Sequence, residues 1–310
     1  MSRSNQIEIV HSTKLDKNKW DDCVRANPGG LIYSLSWFLD QMADDWYGLI
    51  VGDYRAVMAL PVKAKFGFRI VTTPAFAQRL GLAGNYDDGI KKLAAEEVLK
   101  FCKAVQYASS DTELFSDTEV KRRTNFVLDL RGTYESILDS YTPQCRKNIS
   151  KSASRGCVIA EDVSIDDVFN LYRQAYGARA AYSDEQFDRL RKLVQDAVDR
   201  RACHIAGVRD ASGTLVYAGA LLDDGKRLYY ILGAPTEHGR QMRATYFFID
   251  HVLKRFAGSG KLFDFEGSDL PNVAKFYQSF SPDTEYYYQF YINKYPFPFN
   301  KMLDLKLKAD

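Results

Sequence analysis

The stretch that decides the fold runs from His204 to Gly233 and reads HIAGVRDASGTLVYAGALLDDGKRLYYILG. It contains three runs rich in aliphatic and tyrosine residues, separated by short polar turns that contain glycine. The pair Asp224-Gly225 is a strong signal for a β-hairpin. Three antiparallel strands are therefore predicted. Their bounds are His204–Arg209, Thr214–Asp223 and Arg227–Gly233.

Helices and strands alternate on both sides of this stretch, which predicts a mixed α/β (α+β) class with mainly antiparallel sheets flanked by helices. The other elements predicted in this half are a basic helix at Gln144–Arg155, a strand at Cys157–Glu161, helices at Ile165–Tyr176 and Asp184–Val198, a helix at Gln241–Phe256, a strand at Lys261–Glu266, a short helix at Asn272–Phe280 and a strand at Glu285–Ile292.

The first half of the sequence has the same order of elements. The predicted elements are helices at Trp20–Asn27 and from Ser34 or Ser36 to Trp46, strands at Gly48–Gly52, Arg55–Lys65 and Phe68–Thr73, a helix from Asp87 to about Tyr107, and strands at Thr112–Phe115 and Asn125–Leu130. This similarity indicates an internal duplication. The predicted domains are residues 1–130 and 131–310, with the Tyr295–Asp310 tail packing back on the first domain.

Composition excludes several classes of protein. The chain has 310 residues, 42 basic against 40 acidic side chains, and 46% apolar residues, as in ordinary globular proteins. It contains no apolar run long enough for a transmembrane helix or a signal peptide. Its five cysteines lack the spacing of a zinc site or a disulfide framework. A cytoplasmic protein without a metal is therefore expected.

The order of elements is similar to that of the GNAT acyltransferase fold, and two such units in tandem resemble the FemAB/FemX-like family. Three stretches carry the resemblance, which covers most of residues 20–292: Cys145–Ala153 is similar to the family's Arg-x-Asn-Ile-x-Lys-Ala, Phe263–Ser268 to Tyr-Asp-Phe-x-Gly, and Val273–Ser281 to Phe-Lys-x-x-Phe-Gly. The resemblance implies an N-acyltransferase that moves an aminoacyl or acyl group onto an amine of a peptide or nucleotide-linked acceptor.

The donor stays open between aminoacyl-tRNA and acyl-CoA. GNAT enzymes hold the CoA pyrophosphate with a glycine-rich loop before a helix, whereas the matching stretch here, Glu237–Ala244, has one glycine. The residues predicted to bind a donor cofactor are Gly239, Arg240, Gln241 and Arg243. A third alternative is a catalytically silent tandem protein that binds a peptide or nucleotide-linked ligand.

Two residues are the candidates for catalysis. Tyr277 stands where FemX-like enzymes carry a lysine, and its phenol, with an ordinary pKa near 10, can donate a proton to a leaving group. That replacement favours a thioester donor. Glu266, at a predicted strand end, is the candidate general base. The alternatives are that Tyr277 packs in the core and that Glu266 caps the following loop.

Substrate contacts are predicted at two places. Arg146, Lys147, Lys151 and Arg155 lie on or beside one face of a helix, which indicates either a polyanion site or a solvated helix surface. Aromatic residues make up 14% of the chain and either pack the C-terminal strand or line a ligand slot, for which Tyr229 and Phe265 are candidates. Backbone N–H groups near Leu232–Ala234 are expected to stabilise an oxyanion. No motif for sequence-specific nucleic-acid binding occurs.

Overall fold

The structure is a computed structural model that describes residues 6–65, 67–115, 118–177 and 182–307. The strands are β1 (Ile7–His11), β2 (Asp45–Val51), β3 (Ala56–Lys65), β4 (Phe68–Thr72), β5 (Leu82–Gly84), β6 (Ala104–Ser109), β7 (Glu119–Asp129), β8 (Val158–Ala160), β9 (Cys203–Arg209), β10 (Leu215–Asp223), β11 (Arg227–Pro235), β12 (Leu262–Asp264) and β13 (Asp283–Asn293). The helices are α1 (Lys17–Ala26), α2 (Ser36–Met42), α3 (Asp88–Phe101), α4 (Tyr134–Ser140), α5 (Pro143–Ser154), α6 (Ile165–Tyr176), α7 (Asp184–Asp199), α8 (Glu237–Met242), α9 (Ala244–Phe256), α10 (Pro271–Gln278) and α11 (Phe299–Leu307).

The chain divides into two compact units. The first unit is Met1–Arg123 together with Tyr286–Asp310, and the second is Thr124–Glu285. The chain therefore passes from one unit to the other twice, once within β7 and once within β13.

The first unit is built on strands in the order β1-β2-β3-β4-β6-β13, with β5 added on β3. Neighbouring strands are antiparallel except β4 and β6, which pair in parallel at Val71 and Val105. Helix α1 starts at Asp16, whose carboxylate accepts the N–H groups of the first turn. It buries Trp20 completely, and the indole of Trp20 donates to the carbonyl of Ser34.

The second unit has strands in the order β7-β12-β11-β10-β9-β8. Here only β11 and β12 run parallel, and the other pairs are antiparallel. Helices α6 and α7 both begin with capping boxes, at Ser164 and Ser183, which satisfy the first N–H groups of each helix. In the core of this unit, α9 packs against the sheet through Phe248, Ile249 and other buried apolar residues.

The predicted α/β class and mainly antiparallel sheets are confirmed, and the three central strands lie within one residue of their predicted starts. One predicted helix was too long, because α3 ends at Phe101 and residues Ala104–Ser109 form β6. A buried strand consists of apolar residues on both faces, so its pattern also fits a helix. The predicted strand at Thr112–Phe115 is wrong, since these residues form turns.

Two further boundaries differ because of left-handed backbone. The helix predicted at Gln241–Phe256 is two helices, α8 and α9, broken at Arg243 with φ +64°. The strand predicted to reach Glu266 stops at Asp264, because Glu266 and Gly267 have φ +64° and +66°. Single residues in this conformation are not visible as a pattern in the sequence. Helices α4 and α11 were not predicted.

The C-terminal segment belongs to the first unit. Leu303 of α11 is buried against Ile70 and Ala104, and the ring of Tyr295 lies 4.8 Å from that of Phe68. Residues 308–310 of the predicted tail lie outside the described residues. Among the described helices, none combines the length and the apolar character needed to cross a membrane.

A carboxylate at the end of β10 makes stability depend on pH. Burial of Asp223 opposes its ionisation, but hydrogen bonds from His204 and Lys261 prevail and lower its pKa to about 2. Since the folded pKa lies below the unfolded value near 3.8, this stabilisation is present above pH 5 and is lost as the pH falls toward 2. We expect Asp223→Asn to cost about 1–2 kcal/mol at pH 6 and about half of that at pH 3.

Urea unfolding at the two pH values measures this difference. The control is Asp53→Asn, which removes an exposed carboxylate that pairs with Lys19 and should cost under about 0.5 kcal/mol at either pH. An Asp223→Asn deficit that is as large at pH 3 as at pH 6 would show that the side chain stabilises the fold by its shape and not by its charge.

Candidate functional site

Strands β11 and β12 separate in the second unit. Their parallel pairing covers only Arg227–Tyr229 opposite Leu262–Asp264, whereas β11 continues to Pro235 with β10 as its other neighbour. An extra residue on β11 between Tyr229 and Leu232 shifts its register against β10. Such a bulge bends the strand and turns its side chains. Beyond Tyr229, the edge of β11 that faced β12 is therefore free for a ligand.

A cavity of about 300 Å³ lies at this separation, and we call it the splay cavity. Its walls come from β11, from the start of α9, from α10 and from the end of α6. Aromatic rings and two arginines dominate the lining. The lining residues are Tyr176, Tyr230, Gly233, Pro235, Arg240, Arg243, Thr245, Tyr246, Asn272, Val273, Phe276 and Tyr277.

Tyr277 is held at the wall of the splay cavity by other rings. Its ring lies 4.8 Å from Phe265 and 5.5 Å from Phe276, and its hydroxyl makes no hydrogen bond to the described residues. Burial, followed by nearby Tyr230, Tyr176 and the Glu266 carboxylate, raises the pKa of Tyr277 well above its usual value. The phenol is thus protonated at physiological pH and is available to a ligand as a proton donor.

A pair of tyrosine hydroxyls lies beside Gly233, one of the residues that line the splay cavity. Tyr217 and Tyr230 share a short hydrogen bond, and burial raises the pKa of both phenols. Both hydroxyls point at Gly233, where a Cβ atom would come within 2.1 Å of Tyr230 Oη and 2.2 Å of Tyr217 Oη. Only glycine therefore fits beside this pair, which explains why β11 has a glycine inside a strand.

The residues expected to bind a donor cofactor lie in helix α8 and directly after it. Gly239 is buried, and its N–H donates to Thr236 Oγ1 at the helix N-cap. A Cβ atom at this glycine would lie 2.1 Å from the carbonyl of Val216, so the residue is needed for close packing on β10. Gln241 is exposed, and its carbonyl accepts from Arg155.

Arg240 and Arg243 do line the splay cavity. The Arg240 guanidinium lies 5.6 Å from the ring centre of Tyr176 and 3.9 Å from Glu237. Arg243 is the residue before α9, makes no ion pair within the described residues, and leaves the helix start without a side-chain cap. The first N–H groups of α9 and two guanidinium groups therefore lie together, an arrangement that suits an anion.

Glu266 follows β12, next to Tyr277 rather than in the cavity lining. Its charge contributes to raising the pKa values of Tyr277 and Tyr182, which places its carboxylate near both phenols. Its backbone N–H donates to Asp264 Oδ1 at 2.8 Å. Asp264 is completely buried and accepts from Arg227 and Asn125, so it holds the turn and is not accessible to a ligand.

The basic residues of α5 do not line the splay cavity. Arg146 donates to the carbonyls of Leu138 and Asp139 and so caps α4. Arg155 caps α8 through the carbonyl of Gln241. Lys147 and Lys151 are exposed and make no ion pair with any described residue. The lysines are thus exposed cations, whereas the arginines connect helices.

Tyr229 and Phe265 are fully buried. The hydroxyl of Tyr229 donates to Asp224, and Phe265 packs between Phe263 and Tyr277. Neither side chain has surface for a substrate contact in this conformation, although Phe265 supports Tyr277. Within the described residues, no group of three metal-ligating side chains occurs.

The sequence interpretation missed several lining residues, among them Tyr176, Tyr230, Thr245, Tyr246 and Asn272. Tyr230 follows Tyr229, and the strand alternation allows one of the two to face the cavity, but the bulge decides which. Tyr176 ends α6, far in sequence from the recognised motifs, and Tyr246 lies in the first turn of α9, just past the stretch Glu237–Ala244.

Comparisons with known proteins identify the fold. Residues 141–271 match the family model described as an acetyltransferase (GNAT) domain. The chain is similar to the crystal structure of FemX, with a TM-score of 0.71 and 12% identity over 96% of this chain and 100% of that one. No curated protein sequence matches the chain.

Two further structures share the fold. The L-PGS of Bacillus licheniformis has a TM-score of 0.56 and 15% identity over 94% of this chain and 96% of that one. The C-terminal domain of a putative lysylphosphatidylglycerol synthetase from Agrobacterium fabrum has a TM-score of 0.56 and 11% identity over 93% and 95%.

These findings define the fold class of the protein: the chain has a GNAT fold, and residues 141–271 of its second unit match the GNAT domain model. The whole chain has the fold of FemX, and the resemblance to FemX-like GNAT proteins noted in the sequence is confirmed at that level.

Proposed function

We propose that this chain is an N-acyltransferase of the FemX-like type whose reacting group binds in the splay cavity. The observation that carries the proposal is the arrangement of this cavity. It brings a protonated phenol, two arginines and a helix N-terminus to the place where the edge of β11 is unpaired. These groups can donate a proton, hold an anion and stabilise an oxyanion.

The reaction that these groups support is direct aminolysis. The acceptor amine loses a proton and attacks the carbonyl carbon of the donor, which forms the C–N bond. Backbone N–H groups of β11 near Leu232–Ala234 stabilise the oxyanion. The bond to the leaving oxygen or sulfur then breaks, and Tyr277 protonates the leaving atom. Glu266, beside Tyr277, accepts the proton that the amine gives up and restores the phenol.

The raised pKa of Tyr277 favours an oxygen ester over a thioester as the donor. A thiol has a pKa near 8.5, so a thiolate leaving group is a weak base and gains little from proton donation by a phenol that is a much weaker acid. An alkoxide is a stronger base than a thiolate and takes the proton more readily. The argument from an ordinary phenol, which favoured a thioester, is thus reversed by burial.

The hydrogen bonding of α8 favours the same donor. The N–H of Gly239 donates to the hydroxyl of Thr236, and the N–H of Arg240 donates to the carbonyl of Thr236. These two N–H groups are therefore not available to bind a pyrophosphate. The start of α9 with Arg243 offers space for a single phosphate group. We infer that the donor is an aminoacyl ester at a tRNA 3′ end, and that the acceptor is an amine of a peptide or nucleotide-linked molecule.

A surface that holds tRNA by its phosphates should be basic and sensitive to salt. Lys147 and Lys151 are the exposed cations of α5. We expect Lys147→Glu/Lys151→Glu to weaken binding of a mixed tRNA pool about tenfold or more, with a melting temperature nearly unchanged. The control Lys192→Glu changes an exposed lysine of α7. Filter binding at two salt concentrations measures the effect, and equal affinity in wild type and double variant would leave α5 as a solvated helix.

Transfer of radiolabel tests the proposed function. The purified protein is incubated with an amine acceptor panel and either a tRNA pool charged with ¹⁴C-amino acids or ¹⁴C-acetyl-CoA. We expect label to reach amines from the charged tRNA. Transfer from acetyl-CoA alone would assign a CoA-dependent N-acetyltransferase. Binding of either donor without transfer would assign the catalytically silent alternative.

A further inference from the structure

The C-terminal helix α11 carries an exposed apolar stripe. Phe299, Met302 and Leu305 follow one another at intervals of three residues and so share one side of the helix. They are 48%, 47% and 77% exposed, and Phe297, just before the helix, is 78% exposed. Leu303, one turn after Phe299, anchors the helix to the first unit. We call the four exposed residues the tail stripe.

Single exposed apolar residues are ordinary, but four of them within nine positions are not. Two of the four are phenylalanines, and covering each ring would remove a large apolar area from water. The buried position of Leu303 holds the helix on the first unit, and the tail stripe stays exposed there. An occupant that covers apolar rings on a surface helix is therefore implied.

The charges around the tail stripe indicate what that occupant is. Exposed cations lie close to it in the sequence: Lys301 on the helix and Lys294 before it. The acidic residue of the described helix, Asp304, is turned away. It accepts from Tyr291 Oη at 2.6 Å and Asn293 Nδ2 at 2.7 Å.

We propose that the tail stripe docks the protein on a membrane surface that contains anionic lipids. Phe297, Phe299, Met302 and Leu305 enter the boundary between headgroups and acyl chains, while the neighbouring lysines contact lipid phosphates. A helix with aromatic and aliphatic residues on one side and lysines beside them lies in this interface. Each basic residue near such a surface adds attraction that salt weakens. This inference concerns the first unit and does not rest on the proposed transferase activity.

Vesicle sedimentation tests the proposal with the full chain. The probes are vesicles of phosphatidylcholine alone and vesicles in which about one third of the lipid is phosphatidylglycerol. We expect binding to the anionic vesicles, and a partition coefficient lowered about tenfold or more by Phe297→Ser/Leu305→Ser. Both residues are exposed, so the fold should survive. The control Val158→Ser changes an exposed valine of the second unit and should bind as wild type does.

A second variant separates lipid charge from apolar insertion. Lys294→Glu/Lys301→Glu should abolish the preference for anionic vesicles. The proposal is overturned if the wild type fails to bind anionic vesicles at low salt, or if Phe297→Ser/Leu305→Ser binds as well as the wild type. A wild type that sediments as a dimer without lipid, and becomes a monomer in the double serine variant, would assign the tail stripe to contact with a second copy instead.

Discussion

Removing the hydroxyl of Tyr277 is expected to lower turnover by about 10²–10⁴-fold with little change in donor affinity. The change Tyr277→Phe keeps the ring contacts with Phe265 and Phe276, so packing is preserved. It removes the one proton donor that we assign to the leaving group. The measurement is the single-turnover rate of label transfer at saturating donor.

The matched control is Tyr246→Phe, which removes another hydroxyl from the same cavity. The Tyr246 ring packs on Phe276 and Phe280, and no proton transfer is assigned to it. We expect its turnover within about threefold of wild type. Equal turnover in wild type and Tyr277→Phe would make Tyr277 a packing residue, as the alternative interpretation of the sequence holds.

Loss of Arg227 is expected to cause the largest change in stability. Its guanidinium donates to buried Asp264 at 2.6 Å and to both oxygens of Glu285 at 3.1 Å. Burial would lower the pKa of Arg227, but the charges of Asp264 and Glu285 outweigh it, so the net shift is upward. Arg227→Met leaves a buried carboxylate without its cation, which should cost about 3–5 kcal/mol of unfolding free energy.

Urea unfolding at pH 7 measures this cost. The control Arg191→Met breaks an exposed pair with Asp166 and should cost under about 1 kcal/mol. A double change, Arg227→Met/Asp264→Asn, removes both charges and should recover part of the loss. A cost for Arg227→Met no larger than that of the control would mean that the cluster does not hold the turn at Glu266.

Much of the second unit could be predicted from the sequence, because its elements follow clear local rules. Helix α6 was predicted with its observed bounds, since Ser164 and the apolar spacing mark its start and its face. The β10–β11 hairpin was predicted from Asp224-Gly225. The helix α5 was predicted to within a residue as a basic helix.

The features that were not predictable depend on long-range contacts or on single residues. The predicted domains meet at residues 130–131, whereas the contacts divide the chain inside β7 and β13. Division within a strand leaves no signal in local composition. The break at Arg243 and the turn at Glu266 each depend on one left-handed residue.

The candidate site was predicted in part. Tyr277, Arg240 and Arg243 line the splay cavity, and Glu266 lies beside it. These four residues could be predicted because they stand in or near recognisable motifs. Tyr229 and Phe265 were selected as aromatic residues in the right strands, but strand position alone does not tell a core ring from a cavity ring. The internal duplication of the two halves stays a prediction.

The location of the donor is the central claim, and hydrogen–deuterium exchange tests it most directly. The protein is measured alone and with a mixed aminoacyl-tRNA pool. The expected result is protection of amides in β11 and the start of α9 and in α10, with no comparable change in β4 and β6 of the first unit. Protection confined to the first unit, with β11, α9 and α10 unchanged, would contradict the assignment of the splay cavity as the reacting centre.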